Sequence, residues 1–366
     1  MKIYPISINQ NLHFSSNKIN SNILKNEISK AQSPNLVTYI PLMSNKMKID
    51  ENIKFFLKGL NKIDTNSKRN NKPIKIADIG CCDGSLCRTL RKYIPYELKI
   101  FGLDLSKEML ESAKLKDKLL KVDSEYVIGN ALKLPYKNNK MDAILLSSVM
   151  HEIYSYPNKE LNTPKYSIHS IELFLQEAYQ SLKPGGVLII KDPATPHIDR
   201  LEKITICNAN KNDGQYPPIE DMDKLKQADI TKLSTYDKLK RFCTDFQPAL
   251  DKTYFNEHNE CIMPRWLVTE FVRHRKWLAT PENWNYEIRE QYGTITPDQM
   301  SEIARKIGFN IIEVENIFIS NKNNIYAIKE NEFEIRDLEN NILTLEDFPM
   351  FLEVILKKSR NDSLKI

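Results

Sequence analysis

Residues 74–85 read IKIADIGCCDGS. Ile74, Ile76, Ala77 and Ile79 make a short apolar strand that ends in Gly80, and the amphipathic run SLCRTLRKYI starts at Ser85. The glycines fall where the chain has to turn and where a ligand approaches the backbone without a Cβ in the way. The helix start beyond Gly84 faces that ligand with free N–H groups. The spacing here is G-x-x-x-G. A pyrophosphate-reading loop needs G-x-G-x-x-G, and the acid at Asp78 would repel a pyrophosphate. It suits a ligand that carries an ammonium group.

The texture continues outward from this stretch. LKIFGLDL is a second strand, and SKEMLESAKLKDKLLK is a helix capped by Ser106. SEYVIGNAL is a third strand. MDAILLSSV is a fourth, apolar throughout like a central parallel strand. A helix over 168–182 stops at Lys-Pro-Gly-Gly, and VLIIKDP is a fifth strand. Strands alternating with helices predict a doubly wound, mostly parallel α/β sheet. The chain has ten glycines, and Gly80, Gly84, Gly102, Gly129, Gly185 and Gly186 all lie within these motifs. Asp104 ends the second strand, where a carboxylate accepts ribose hydroxyls, and Asn130 follows the third with one acceptor and one donor group for a base edge.

Outside this unit the reading is coarser. Residues 1–70 form a polar extension, partly disordered, with one amphipathic helix ending near Leu60 that turns Ile53, Phe56, Leu57 and Leu60 to one side. The core occupies 71–197. A mostly helical, aromatic- and lysine-rich insert at 198–293 reads as a lid over the substrate. The core is completed over 294–330 by a helix with Thr296 as cap and Pro297 at its first position, followed by two strands, IIEVENIFIS and NNIYAIKE, forming an antiparallel hairpin. Residues 331–366 are read as a tail.

The runs DIGCCDG, GLDLSKEML, GNALKLPY, MDAILLSSVMHEI and LKPGGVLIIKD resemble, in order and spacing, the class I S-adenosylmethionine (SAM)-dependent methyltransferases. The resemblance covers about 74–197 and 295–328. It implies a seven-stranded Rossmann-like fold with SAM as cofactor. It also implies that Asp78, Gly80 and Gly84 cradle the methionine moiety, that Asp104 holds the ribose, and that Asn130 and Ala131 flank the adenine. Cys82, Leu105, Met109, Leu132 and Ser147 are expected around the same cofactor. Cys82 stands where the family usually has a glycine, and Asn130 where it commonly has an aspartate.

The segment after the fourth strand, Ser147-Ser148-Val149-Met150-His151-Glu152, carries neither an Asn/Asp-Pro-Pro-Tyr/Phe run nor a Pro-Cys, the marks of base-directed methyltransferases. His151 is a candidate general base or substrate wall, with Glu152 beside it and His197 as a second candidate. Arg265, Arg273, His274 and Arg275 in the insert are candidates for holding a carboxylate or phosphate, or a solvated helix face. The expected activity is methyl transfer to a small-molecule acceptor at oxygen or carbon. An RNA or protein methyltransferase and a SAM-binding protein without catalysis are the rivals.

Bulk properties exclude little else. Over 366 residues the net charge is only +5, with Lys and Glu interspersed, and no basic-aromatic stripe marks a nucleic-acid partner. The six cysteines show no CxxC pair, and Cys81, Cys82 and Cys87 read as small packing residues. His258 and Cys261 have ligand-like spacing but lack a second pair, so no metal is expected. No signal peptide or membrane span is read, so the expected location is cytoplasmic. Oligomeric state is left open.

Overall fold

The computed structural model describes residues 49–136, 139–196, 204–277, 281–319, 327–329 and 331–360. His197, residues 1–48 of the N-terminal extension and the last six residues lie outside them. The elements used below are α1 (Ile49–Leu60), β1 (Ile74–Ile79), α2 (Ser85–Tyr93), β2 (Leu98–Asp104), α3 (Lys107–Leu120), β3 (Glu125–Ile128), β4 (Met141–Ser147), α4 (Met150–Ser155), α5 (Ile168–Ser181) and β5 (Leu182–Pro193). After them come β6 (Ile204–Ala209), α6 (Thr235–Asp245), β7 (Tyr254–Phe255), β8 (Cys261–Pro264), α7 (Arg265–Trp277), α8 (Pro281–Glu287), α9 (Pro297–Ile307), β9 (Phe309–Ile317), β10 (Phe333–Arg336), β11 (Ile342–Leu343) and β12 (Phe351–Lys358).

A seven-stranded sheet runs in the order β3-β2-β1-β4-β5-β12-β9. The first five strands are mutually parallel, and β12 is antiparallel to both β5 and β9. Strand β4 explains the layering. Every one of its residues is buried, because successive side chains alternate between two covered faces. Ile144 and Leu146 join Phe174, Leu175, Met300 and Ala304 from α5 and α9. Ala143 and Leu145 join Phe56, Leu60, Leu86 and Leu90 from α1 and α2. Caps close the helices as their sequences predict. The Ser106 hydroxyl accepts the Met109 N–H, and Thr296 with Gln299 forms a full capping box with Pro297 in the first turn.

Two expectations need correction. The hairpin partner of β9 is FLEVILKK at 351–358, not NNIYAIKE. Of 323–330 only 327–329 are described, and they form no strand. The inner position between β5 and β9 needs a strand that is apolar on both sides. Leu352, Val354, Ile355 and Leu356 meet that need with complete burial. The supposed tail therefore completes the sheet.

The described regular structure of the insert is mostly helical, but it is not helical alone. It holds three strands of a second, antiparallel sheet ordered β11-β10-β6-β8-β7. The remaining two strands, β10 and β11, come from the stretch between β9 and β12. Phe242, Phe246, Phe271 and Trp284 share one core with Phe333, Ile335 and Phe348. Two separated pieces of chain thus build one subdomain. Its strands are two to six residues long, too short for a period of two to declare itself in sequence.

Candidate active site

The site lies at the carboxyl ends of the parallel strands, where open α/β sheets bind ligands. Gly80 leaves β1 with φ +67°, and a Cβ there would stand 2.4 Å from Val149 Cγ2. Gly84 precedes α2, and a Cβ there would meet the Tyr126 hydroxyl at 2.4 Å. Cys82 lies between them with φ 49°, a left-handed conformation that glycine adopts more readily. Its side chain is buried, with Sγ 3.7 Å from Met109 Sδ.

Asp104 clamps this loop to the next turn. Its Oδ2 accepts the Cys82 N–H at 2.8 Å and its Oδ1 accepts the Ser106 N–H at 2.9 Å. Burial pushes its carboxyl up to about 6 against those bonds. Asp78 is wholly buried beneath the loop. Its Oδ2 takes the Cys87 thiol at 3.3 Å, while Oδ1 has no hydrogen-bond partner. Burial raises it to about 7, and the Cys87 bond only partly offsets that. Asp83 behaves differently. It is equally buried, yet Lys116 and Arg88 hold its carboxyl below the usual range despite desolvation. Arg88 also reaches Asp117 at 2.7 Å, and Asp117 accepts the Tyr126 hydroxyl at 2.9 Å. This buried network pins the start of α2 to α3 and β3.

A cleft opens beside Gly80. Asp104, Leu105, Asn130, Ala131 and Leu132 line one side, and Val149, Glu152, Ile153, Tyr156 and Pro157 the other. The Asn130 Oδ1 accepts the Leu132 N–H at 2.9 Å, which shapes the turn after β3.

The far wall is helix α4, fixed from behind. Asp192, near the end of β5, accepts the N–H groups of Met150 (2.8 Å) and His151 (3.2 Å) and faces His151 Nδ1 at 3.0 Å. His151 Nε2 stands 3.6 Å from Glu290 Oε2, too far for a good hydrogen bond. Burial would lower this imidazole, but Asp192 and then Glu290 outweigh it and raise it well above the ordinary histidine value. Glu152 is almost as buried, and neither of its oxygens has a hydrogen-bond partner. Desolvation first, then Glu290, push its carboxyl well above the usual range, although His151 pulls the other way.

The second subdomain meets α4 through the turn after α8. Tyr156 Oη donates to Glu290 at 2.7 Å and Gln291 N donates to Ser155 Oγ at 2.9 Å. The Tyr292 ring stands edge-on to His151, with centroids 5.1 Å apart. His274 secures this turn, with Nε2 at 2.9 Å from the Glu287 carbonyl and 3.0 Å from that of Glu290.

Residues 77–190 match the family described as a methyltransferase domain. The chain is 31% identical over 120 residues to the demethylmenaquinone methyltransferase of Oceanobacillus iheyensis, covering 32% of this chain and 44% of that protein. It is 39% identical over 129 residues to the Thermotoga maritima enzyme of the same name, covering 35% and 48%. This chain therefore spans about half the length of the curated relatives it matches. A SAM-dependent methyltransferase structure from Mesorhizobium loti aligns over 78% of this chain and 91% of its own, at 18% identity and TM-score 0.41. The match to a methyltransferase domain is carried by the segment 77–190.

The cofactor of such a domain is SAM, and the residues present suit it. The Cβ-free Gly80 provides a close backbone approach at one end of the cleft, and the unpartnered Asp78 Oδ1 is buried beneath that turn. Asp104 and Asn130 stand at the other. Of the residues expected around the cofactor, Gly80, Asp104, Leu105, Asn130, Ala131 and Leu132 line the cleft of the methyltransferase domain. Asp78, Cys82, Gly84, Met109 and Ser147 are buried and are not among its lining residues. His151 also falls behind the wall, whereas its neighbour Glu152 lies on it, because adjacent residues on a helix point about 100° apart.

Sequence reasoning missed Asp192, Glu290 and Tyr156. Asp192 ends a parallel strand as Asp78 and Asp104 do, and that parallel was a usable signal. Nothing local marks Glu290, which is brought to His151 from 139 positions away (290 minus 151). The basic residues of the insert serve its own structure. Arg273 donates to the Pro349 and Met350 carbonyls, Arg275 pairs with Glu332, and Arg265 reaches the Asp347 carbonyl. His258 is exposed beside Glu257, whereas Cys261 is buried with its Sγ 3.6 Å from Cys243 Sγ. The free, buried Cys81, Cys82 and Cys87 thiols are raised well above their ordinary value by desolvation, as packing residues would be. No helix among the described residues is long and apolar enough to cross a membrane.

Proposed function

We propose that this chain transfers the methyl group of SAM to a small-molecule acceptor, at oxygen or carbon. The observation that carries the reading is the chemistry of the cleft wall. Opposite Asp104 and Asn130 stand Val149, Ile153, Tyr156 and Pro157 with one acid, Glu152, and no Lys, Arg or His is among the described lining residues. Such a wall favours a neutral, largely apolar acceptor. It offers nothing to neutralise a phosphate backbone at the reacting end. The curated relatives are named for a small acceptor, demethylmenaquinone, which supports the same class.

When bound, SAM supplies an electrophilic methyl group. In this reading Asp78 and the Gly80 turn receive the methionine end. Asp104 orients the ribose, Asn130 and Ala131 border the adenine, and the residues around Tyr156 exclude water and position the acceptor. Asp192 holds α4 in place through His151, and Glu290 holds the residue that follows the helix, Tyr156.

The test has two stages. Calorimetric titration of the full chain with SAM should show stoichiometric binding. Incubation with SAM carrying an isotopically labelled methyl group and a host small-molecule extract should then yield a low-mass product heavier by that methyl. Label appearing only in RNA or protein would move the acceptor to another class. Binding without any labelled product would leave a SAM-binding protein without this activity.

A further inference from the structure

We propose that Glu152 is the group that answers the sulfonium charge of SAM, so that this protein tells the cofactor from its demethylated product by the ionisation of one carboxyl. This rests on the cofactor reading above.

Three observations place the role on Glu152. It lines the cleft from α4, 4% exposed, and neither carboxyl oxygen has a hydrogen-bond partner. A buried carboxyl in that state is costly and calls for a partner from outside the chain. The other acid on the wall, Asp104, already spends both oxygens on the Cys82 and Ser106 N–H groups. Finally, the described lining residues include no Lys, Arg or His, so nothing fixed in the wall neutralises Glu152.

The charges facing Glu152 decide its state without a ligand. From its own helix comes His151, which is turned to Asp192. From the end of β2 comes Asp104, and from the turn after α8 come Glu287 and Glu290, the latter also accepting the Tyr156 hydroxyl. Acids outnumber the one imidazole, and burial adds to them, so the carboxyl stays neutral. A cation beside it reverses that balance and drives a proton off to solvent. SAM and S-adenosylhomocysteine share the adenine, the ribose and the amino-acid end. They differ by one methyl and one positive charge. While both ligands keep their ammonium protonated, proton linkage through Asp78 to that group, or through Asp104 to the shared ribose, cancels in the ratio of their affinities. Linkage through Glu152 remains.

The sign follows. Binding a cation releases a proton from Glu152, so SAM affinity rises with pH until the free protein's own carboxyl ionises. The affinity for S-adenosylhomocysteine has no such component. Both ligands would be titrated against this chain between pH 5 and 7, where both ammonium groups stay charged, for the parent, Glu152→Gln and Glu152→Met. The parent's affinity ratio, SAM over S-adenosylhomocysteine, should climb by up to about tenfold per pH unit for one linked proton. Both variants should bind S-adenosylhomocysteine as the parent does, with a ratio that varies by less than about twofold over the range. A flat ratio in the parent, or a slope that survives in the variants, overturns the proposal. So does loss of S-adenosylhomocysteine binding in both variants, which would assign the carboxyl to the fold or to the nucleoside. These results leave the cofactor reading standing, whereas a parent that binds neither ligand removes that reading itself.

Discussion

His151 and Asp192 form a buried pair, Nδ1 to Oδ1 at 3.0 Å, in which neither side chain reaches solvent. The same carboxylate takes the N–H groups of Met150 and His151. One residue of β5 thus caps α4 and grips the second side chain of that helix.

This pair makes His151 a positioning residue. Truncating it would leave the Asp192 charge buried with only its backbone bonds. We expect His151→Ala to cost roughly 3 kcal/mol of stability, the low end for breaking a buried pair. The imidazole is raised in the folded state, because Asp192 and Glu290 outweigh desolvation. Its stabilising contribution is therefore fully present below the ordinary histidine value and is lost as pH rises through the raised one. Urea unfolding of parent and variant should show the gap narrowing in alkaline solution. A variant as stable as the parent at pH 6 would end this view of His151.

Asp78 predicts a second pH effect. Burial lifts its carboxyl to about 7, so the folded protein holds a proton there that the unfolded chain has lost. That contribution is complete below the unfolded aspartate value of about 4 and fades as pH rises to about 7. Asparagine cannot ionise. The melting temperature of Asp78→Asn relative to the parent should therefore rise steadily from pH 4 to pH 7 in the absence of ligand. A constant difference across that range would show that the carboxyl is not held protonated.

Cys82 sets two effects of similar size against each other. Its φ of 49° is strained for a side-chain-bearing residue by roughly 1–2 kcal/mol, which glycine would relieve. Glycine would also remove a buried thiol from Met109, at a cost of about 1 kcal/mol for so small a group. We expect Cys82→Gly to leave stability within about 1 kcal/mol of the parent by this arithmetic. It should keep or improve SAM affinity, because the bond from the residue 82 N–H to Asp104 is retained. A marked loss of affinity would reveal a contact made by the sulfur.

Gly80 is less tolerant. Alanine there meets both a positive φ and Val149 Cγ2 at 2.4 Å. The backbone strain and the overpacking should together cost roughly 2–4 kcal/mol. Adding Val149→Ala should recover the steric part and leave the backbone part, so the double variant should melt between the single variant and the parent. Equal melting of Gly80→Ala and Gly80→Ala/Val149→Ala would remove the clash from the account.

Local sequence was enough to determine the parallel half of this protein. Residues 74–193 carry apolar strands, capped helices and glycines at the turns, and each of these signals acts within a few positions of itself. The places of Asp104 and Asn130 on the cleft were legible for the same reason, since both follow from where a strand ends. Tertiary structure alone decided the rest. The sequence reading took NNIYAIKE for the strand beside β9 and 331–366 for a tail, and only burial on both faces between β5 and β9 shows FLEVILKK to be a strand of the sheet. The second sheet draws on both sides of β9, so its short strands have meaning only once they pair. The division of labour at the cleft was hidden too. His151 and Glu152 are neighbours in sequence, and it is Asp192 and Glu290, supplied by distant elements, that draw the imidazole into the interior and leave the carboxyl on the wall without a partner.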